Sequence, residues 1–455
     1  MSCSKHESND KKISSRLRKD INNSQEPLTC EVNSNEVIYF KIIYNESEFH
    51  DFINNNNFEN TFHPIFTNQI FKNEKINGYK GIKILISLTP KRLFPHIKII
   101  YEKQLQFHDN IEKILKDFFL ETFNTDETKF ISLLNEENKI LNPKGKLIYK
   151  EEPNRELYII DILKDDFKLE NWNYQTLNKF FIDGASFIQI QESNYWNYFY
   201  TIERTSISNN EISYNTVGYC SFKNFHMEIN KYCTMLSQFL ILPPYQRHGY
   251  GSFMLYNSYK YLSFSNKECI EITTEDPCID FILMRDYTII KMLIDNKKLD
   301  SYLKLLENEN EICSIDIYNK FTMSKEQVTE VSKELKLQKN LIQRAFDIVK
   351  YTLCSNKIKE EFVKYKKHEL KQSIKSEYDL DLMFVNKKRG PFIYFHDEEG
   401  FDYRKVIEED KMNLNMEMTL EQKVEMLFIE YDNDVHKIMA KCGKLILNYK
   451  QSLTK

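Results

Sequence analysis

The chain contains 455 residues, of which 41% are hydrophobic and 29% are charged. This length predicts two or three domains with a sizeable core, and the composition excludes collagen-like and intrinsically disordered chains. The 63 basic and 67 acidic residues give a net charge of −4, which argues against a protein built as a whole to coat nucleic acid, because phosphate binding needs clustered positive charge.

Cysteine spacing and apolar runs narrow the class of protein further. The nine cysteines are scattered and never spaced Cys-x-x-Cys, which predicts reduced thiols in the cytoplasm or nucleus rather than a disulfide framework or a zinc ribbon. The longest apolar run, around Phe239–Leu242, is far shorter than the roughly 18 residues of a membrane span. The polar N-terminus carries no apolar signal core, so we expect no membrane segment.

The chain begins with a polar stretch, residues 1–33, that predicts a disordered tail. Within it Arg16–Lys19 fits either a nuclear localisation signal or a solvated charge cluster. A first folded domain is predicted over residues 34–165. There Ile82, Ile84, Ile86 and Leu88 alternate with other residues before Pro90, which predicts a strand, and residues 110–123 carry a helical pattern.

A second domain, predicted over residues 166–300, is rich in strand signals. Strands are predicted at Tyr195–Glu203, Thr216–Phe222 and Thr234–Leu242, with a polar loop at Thr205–Ser213 between the first two. A helix with apolar residues at i, i+4 and i+7 follows the third strand. A further strand is indicated by Ile270 and Ile272.

The remaining residues, 301–455, predict a helical domain. Ser324–Gln327 fits a capping box, and the charged residues 357–375 suggest a solvated helix face. An apolar stripe at helical spacing near the C-terminus is typical of core packing. Its members are Leu420, Val424, Leu427, Tyr431, Val435 and Ile438.

The densest chemical signal is a glycine pair between the third strand of the second domain and the helix that follows it. Gln246-x-x-Gly249-x-Gly251 puts small residues where backbone N–H groups at a helix N-terminus can hold an anion such as a pyrophosphate. An ordinary left-handed turn is the simpler alternative. The motif is neither a P-loop nor a complete dinucleotide fingerprint.

This motif resembles the acyl-CoA-binding loop of the GNAT superfamily of N-acetyltransferases. The wider sequence is similar to the catalytic subunits of type B histone acetyltransferases over about residues 36–350. The segments that carry the resemblance are Gly78–Ile84, Asp183–Ile188, Gln238–Gln246, Ile272–Pro277, Leu283–Tyr287 and, more weakly, Leu335–Lys339. It implies an α+β GNAT fold, a mixed central sheet flanked by helices, with an N-terminal α/β domain and a C-terminal helical domain.

The resemblance also implies a binding site for acetyl-CoA as co-substrate, without a metal. The thioester oxyanion and the pantetheine amides would meet the main chain of the strand that precedes the loop, and the loop itself would hold the pyrophosphate. The implied cofactor-binding residues are Phe239, Leu240, Ile241, Gln246, Arg247, His248, Gly249, Tyr250, Gly251 and Ser252.

Acetyl transfer to lysine requires a general base, because the free amine has a pKa near 10.4. By position in the family motif, Glu275 is the expected base. Asp276 beside it is a further candidate, although an acidic pair before proline also suits a turn or a helix cap. Asp183 stands where the family carries Glu, so its shorter side chain would need a water relay.

The acceptor implied by the resemblance is the N-terminal tail of newly made histone H4. The positions that match the family's peptide contacts are Trp196, Lys223, Asn224, Phe225, Asn73 and Glu74. Lys223 stands where the family often has an aromatic residue, and burial in the core is an alternative role for Trp196.

Several functions stay open from the sequence. The same fold could acetylate another protein or a small-molecule amine, or the chain could be a catalytically silent histone-binding scaffold; intact Gln246, Gly249, Gly251 and Glu275 argue against the scaffold. The family works with a WD-repeat histone chaperone, so we expect such a partner, no membrane or direct nucleic-acid contact, and a location in nucleus and cytoplasm.

Overall fold

A computed structural model describes residues 30–55, 57–161, 168–188, 195–208, 211–228, 231–306, 311–356, 358–360 and 420–453. The chain forms two compact units. The first comprises Met1–Phe225 with Thr234–Asn257, and the second His226–Cys233 with Ser258–Lys455. The division at residues 165 and 300 stays a prediction. Of the predicted tail, Glu31–Asn33 form a short strand.

The first unit contains most of the strands. They are β1 (Glu31–Asn33), β2 (Ile38–Ile42), β3 (Lys75–Asn77), β4 (Tyr79–Lys80), β5 (Lys83–Leu88), β6 (Pro95–Ile100), β7 (Lys103–Gln104), β8 (Lys146–Glu151), β9 (Arg155–Ile160), β10 (Trp196–Ser208), β11 (Glu211–Glu228) and β12 (Lys231–Ile241), the last two crossing into the second unit. Its helices are α1 (Ser34–Val37), α2 (Glu46–Asn54), α3 (Ile111–Phe119), α4 (Glu127–Asn138), α5 (Lys168–Phe181) and α6 (Tyr250–Lys260).

A three-stranded sheet of order β2–β5–β6 organises the N-terminal part of the first unit. Strand β5 pairs in parallel with β2 and antiparallel with β6. The predicted strand is therefore confirmed, and both of its faces are buried, since Leu85 and Ser87 are fully buried as well as Ile84 and Ile86. Leu85 packs in a cluster with Phe49 of α2 and Phe130 of α4, so helices cover the second face.

The larger sheet of the first unit has the order β8–β9–β10–β11–β12. Strands β10 and β11 form a long hairpin whose pairing runs from Trp196 opposite Lys223 to Ser208 opposite Glu211. The predicted loop at Thr205–Ser213 is therefore mostly strand, because Thr, Ser and Ile suit an extended backbone.

The second unit is helical apart from short strand segments. Its elements are β13 (Cys269–Thr274), α7 (Ile279–Asp295), α8 (Asp300–Leu303), α9 (Ile315–Lys320), α10 (Lys325–Leu335), α11 (Lys339–Leu353) and α12 (Leu420–Leu453). Helix α7 packs against α11 and α12. Its buried Asp286 accepts a hydrogen bond from Arg344 Nε of α11 at 2.8 Å.

Two sequence predictions for this unit can be compared with the structure. The capping box of Ser324 and Gln327 is confirmed at the start of α10. On the apolar stripe of α12, Ile438 is fully buried, while the stripe's other side chains lie outside the described ones. Most of residues 357–375, and all of Arg16–Lys19, also lie outside the described residues.

None of the helices in the described ranges is both long and apolar enough to cross a membrane.

Candidate active site

Strand β12 leads directly into the glycine-containing segment, as the sequence predicts. Exposure alternates along the strand, and Leu242 N then donates to Val217 O at 2.9 Å. Pro243–Tyr245 form one turn of 3₁₀-helix, because two prolines fix φ and cannot extend the sheet. Residues 246–249 form a turn, and α6 begins at Tyr250. The strand, turn and helix are confirmed.

The loop between strand and helix, Gln246–Ser252, has two backbone positions in the left-handed region. Arg247 has φ 64° and Gly249 has φ 86°. Phe253 N donates to Gly249 O at 3.0 Å, so Gly249 stands at the N-cap of α6. The first N–H groups of a helix have no intrahelical acceptor and carry partial positive charge. This geometry suits a bound anion such as a phosphate.

Gln246 fixes the turn to the strand. Its side-chain Nε2 donates to Ile241 O at 2.8 Å, and its N–H donates to Pro243 O at 3.1 Å. Tyr245, the residue before it, shares a hydrogen bond of 3.0 Å with the hydroxyl of Tyr44. The glutamine of the motif therefore has a local structural role, because its amide closes the turn.

Gly218 is a residue that sequence reasoning missed. A Cβ on this glycine would lie 2.7 Å from Leu240 O and 2.4 Å from Ile241 Cδ1, which only glycine avoids. It therefore lets β11 approach the segment of β12 that holds the expected oxyanion donors. An isolated glycine inside a strand pattern is the signal that could have found it.

Asp183 lies exposed just beyond the end of α5. The following residues are held by buried amides. Gln238 Nε2 of β12 donates to Ser186 O at 2.8 Å, and Gln238 Oε1 accepts from Asn178 Nδ2 of α5 at 3.0 Å. Gln175 of α5 also bonds the backbone N–H of Ile188. These amides fix the path of the Asp183 loop, and nothing in the sequence pattern singled them out.

Four of the predicted acceptor-binding residues lie on the β10–β11 hairpin, and the side chains of Trp196, Lys223 and Phe225 lie close together there. Trp196 is directly opposite Lys223 in the register, and Lys223 Nζ lies 5.6 Å from the ring centres of both Trp196 and Phe225. The Lys223 charge therefore faces two aromatic rings, which a cation–π interaction favours. Trp196 Nε1 is buried and has no hydrogen-bond acceptor among the described residues.

Two of the other predicted acceptor-binding residues, Asn224 and Glu74, have internal partners. Asn224 Oδ1 accepts from Asn197 Nδ2 and from Thr234 Oγ1, each at 2.9 Å. Glu74 Oε1 accepts from Thr67 N at 3.1 Å, and this backbone hydrogen bond lowers the pKa of Glu74. Asn73 and Glu74 both have left-handed φ angles, of 55° and 56°, so they form a tight turn.

The predicted general-base residues belong to the second unit. Glu275 and Asp276 are exposed and follow β13 directly. Asp276 has φ 31°. Helix α7 begins at Ile279 with Cys278 as its N-cap, so the alternative role of Asp276 as a helix cap is wrong. Neither carboxylate is therefore explained by helix capping.

Several known proteins are similar to this chain in sequence. A family model described as "Histone acetyl transferase HAT1 N-terminus" matches residues 30–183. Proteins named "Histone acetyltransferase type B catalytic subunit" match a longer stretch. The Dictyostelium discoideum protein is 30% identical over 59% of this chain and 60% of its own length. The Candida albicans protein is 29% identical over 78% and 87%, and the human protein 28% over 61% and 69%.

The chain is therefore similar to the catalytic subunits of type B histone acetyltransferases. It spans 60% and 54% of the length of two Dictyostelium relatives. The α+β acetyltransferase fold expected of this family agrees with the mixed sheets and flanking helices of the first unit and the helices of the second. Within the described residues, no group of three or more His, Cys, Asp or Glu side chains is arranged to hold a metal ion.

Proposed function

We propose that this protein is an acetyl-CoA-dependent acetyltransferase that acts on lysine side chains of the N-terminal histone H4 tail. The observation that carries the proposal is the Gln246–Ser252 loop, with Gly249 at φ 86° capping helix α6 directly after strand β12. An acyl-CoA carries a pyrophosphate, and main-chain N–H groups at a helix N-terminus bind phosphate without needing a charged side chain. The names of the relatives support the same reaction.

The loop residues fit this ligand. Because Gly249 has φ 86°, any L side chain there would strain the backbone, so the turn needs glycine. Main-chain N–H groups of residues 249–252 would hold the pyrophosphate, and Phe239–Ile241 of β12 would face the pantetheine arm and the thioester oxygen. When bound, the thioester supplies the acetyl group.

The acceptor lysine must lose a proton before its amine can attack, since its pKa lies near 10.4. We assign this role to Glu275, whose carboxylate is exposed at the end of β13. Asp276 and Asp183 are the alternative carboxylates. Asp183 follows Ile182 in a loop that buried amides hold in place, and it would act through a water molecule. The neutral amine would attack the thioester carbonyl, with fixed N–H donors near the carbonyl oxygen. The new C–N bond forms as the C–S bond breaks, and CoA leaves as a thiolate that takes up a proton to become the thiol.

Trp196, Phe225 and Lys223 are proposed to contact the H4 tail. The two rings and the unpaired Trp196 Nε1 offer apolar contact and one hydrogen-bond donor to a peptide carbonyl. The positive charge of Lys223 would repel a basic tail, but this ammonium group lies close to both aromatic rings. Because Asn224 and Glu74 already have internal partners, we propose that they and Asn73 shape the surface around the tail.

A WD-repeat histone chaperone is proposed as partner, with residues 301–455 as its docking region and the nucleus and cytoplasm as locations. Co-purification of such a partner with a chain lacking the helical region would contradict this docking site. Binding through the N-terminal domain would then be the alternative.

Calorimetric titration with acetyl-CoA tests the proposal against a silent histone-binding scaffold. We expect saturable binding of acetyl-CoA by the full chain, and weaker binding of acetyl-pantetheine, which lacks the pyrophosphate. A chain that binds an H4 peptide but shows no heat with acetyl-CoA would be a scaffold. If the protein acetylated unrelated amines as fast as the H4 tail, it would instead be an acetyltransferase of another protein or small-molecule amine.

A further inference from the structure

Arg155 at the start of β9 reaches the loop Gln246–Ser252 from a neighbouring part of the first unit. Its Nη2 donates to His248 O at 2.8 Å, and its Nη1 donates to Glu151 Oε2 at 3.1 Å. The guanidinium also lies over the ring of Tyr250, 4.8 Å from its centre. One side chain thus contacts the loop backbone and the first residue of helix α6.

The contact falls where the loop backbone is strained. His248 lies between Arg247 and Gly249, which both have left-handed φ angles. Arg247 is not a glycine, and such a conformation costs about 1–2 kcal/mol for an L residue, so it persists only when neighbouring groups hold it. The hydrogen bond from Arg155 to the intervening carbonyl is a contact of this kind.

A second contact holds the same segment from Tyr250. Its buried hydroxyl donates to Glu203, which also accepts from Asn154 Nδ2 at 3.0 Å. Glu151, Glu152 and Glu203 line an open cleft of about 590 Å³ beside the loop. Arg155 is the countercharge of one of these carboxylates, Glu151, beside a loop expected to bind phosphate.

We propose that Arg155 is a positioning residue for the phosphate-binding loop. It holds the His248 carbonyl and the Tyr250 ring. The N–H groups of the loop are then already placed for the pyrophosphate of an acyl-CoA, and binding does not have to order the loop. The inference rests on the proposed function. It adds a residue outside the Gln-x-x-Gly-x-Gly motif, on a different strand.

The fork shape of the guanidinium matters as much as its charge. Arginine can contact His248 O and Glu151 at once while stacking on Tyr250, whereas lysine offers a compact charge on a flexible stem. Hydrogen bonds to charged groups contribute about 1.5–3 kcal/mol, and about 1.4 kcal/mol is a tenfold change in affinity. Because Arg155 is partly exposed, we expect an effect of about tenfold.

The test measures KM and kcat for two acetyl donors with the full chain. We expect Arg155→Ala to raise KM for acetyl-CoA about tenfold, to leave kcat at saturation close to that of the wild type, and to leave KM for acetyl-pantetheine unchanged. Arg155→Lys should restore only part of the loss. Lys150→Ala, which removes a cation paired with Glu152 at 3.0 Å, is the matched control and should behave as the wild type.

Three results would overturn the inference: an unchanged KM for acetyl-CoA, an equal rise for both donors, or full recovery in Arg155→Lys. If Arg155→Ala fails to fold, the two acetyl donors are compared with Arg155→Lys instead. KM values for both donors equal to those of the wild type would then contradict the inference. A wild-type chain that binds no acetyl-CoA would instead overturn the proposed function, and with it this role.

Discussion

We expect Gly249 to be required both for the backbone conformation of the loop and for ligand binding. Its φ of 86° is unfavourable for any L side chain, while a Cβ there would make ordinary van der Waals contact with the Arg155 guanidinium, whose Nη1 lies 3.5 Å away. A substitution therefore fits sterically in the free protein and acts through the backbone and the ligand. This distinguishes Gly249 from Gly218, where a Cβ would collide with Leu240 O.

We expect Gly249→Val to abolish acetyl-CoA binding while the chain still folds. The strain should cost about 1–2 kcal/mol of stability, and the branched side chain would occupy the approach to the loop N–H groups. Calorimetry measures the binding and thermal unfolding measures the fold. Gly184→Ala, at φ 65° with nothing within 4 Å of its Cβ position, controls for backbone strain and should retain binding; wild-type affinity in Gly249→Val would contradict the loop assignment.

His96 gives the stability of the first unit a dependence on pH. It is almost fully buried against Phe49, and desolvation lowers its pKa from 6.5 to about 4. Above pH 6.5 the ring is neutral in both the folded and the unfolded chain. As the pH falls from 6.5 to 4, only the unfolded chain takes up the proton, so stability is lost, by at most about 3 kcal/mol.

Urea unfolding at pH 7 and pH 5 measures this loss. In His96→Leu we expect a smaller fall in the free energy of unfolding between the two pH values than in the wild type. His50→Leu, which removes an exposed histidine, should keep the wild-type dependence. An identical fall in His96→Leu and wild type would show that other groups cause it.

Among the elements, β12 joins the Asp183 loop to the acyl-CoA loop. One end of the strand continues into Gln246, and its buried Gln238 bonds Asn178 of α5 and the carbonyl of Ser186. Gln238→Leu would leave these buried groups unpaired at a cost of about 1–3 kcal/mol each. The Asp183 loop would then lose its fixed path.

We therefore expect Gln238→Leu to lower thermal stability and to speed proteolysis at residues 182–188. Gln69→Leu is the matched control, because Gln69 is exposed and bonds only the Lys179 ammonium in the contacts described. Its unfolding and cleavage should match the wild type. Equal cleavage rates in Gln238→Leu and the wild type would show that the buried amides do not fix the Asp183 loop.

The sequence could predict elements with strong local signals and not those that depend on neighbours. The strand before Pro243, the turn and α6 follow from local residues, as does the capping box at Ser324. The second buried face of β5 is covered by helices distant in sequence, so the alternation of isoleucines could not reveal it. Arg155 and Gln238 act through partners on other elements, which no local spacing reveals, whereas Gly218 carries a local signal as an isolated glycine inside a strand.

At the scale of the whole molecule, the C-terminal helix α12 belongs to the core of the second unit. Its Ile438, Cys442 and Ile446 are fully buried, and Tyr449 donates a hydrogen bond to Asp300. Burial in apolar surroundings raises the pKa of the Cys442 thiol to about 12, so this cysteine stays protonated. Residues 420–453 therefore stabilise the helical unit by packing.

Ile446→Ala should destabilise the second unit by about 2–5 kcal/mol, the range for removing a buried aliphatic side chain. Leu447→Ala, one residue further along the same helix and 45% exposed, is the control and should change stability little. Chemical unfolding of both variants measures the difference. Equal stability in the two variants would contradict the packing of α12 on α7 and α11.

The most direct test of the central claim is mass spectrometry of a histone H4 tail peptide incubated with the full chain and acetyl-CoA, over a range of pH. We expect acetylated lysine with the wild type and a rate about 10²- to 10⁴-fold lower with Glu275→Gln, partly recovered at high pH where more of the acceptor amine is neutral. Asp183→Asn should lose less activity if Asp183 acts through water. An unmodified peptide would contradict the proposed activity, and a Glu275→Gln profile matching the wild type would remove Glu275 as the base.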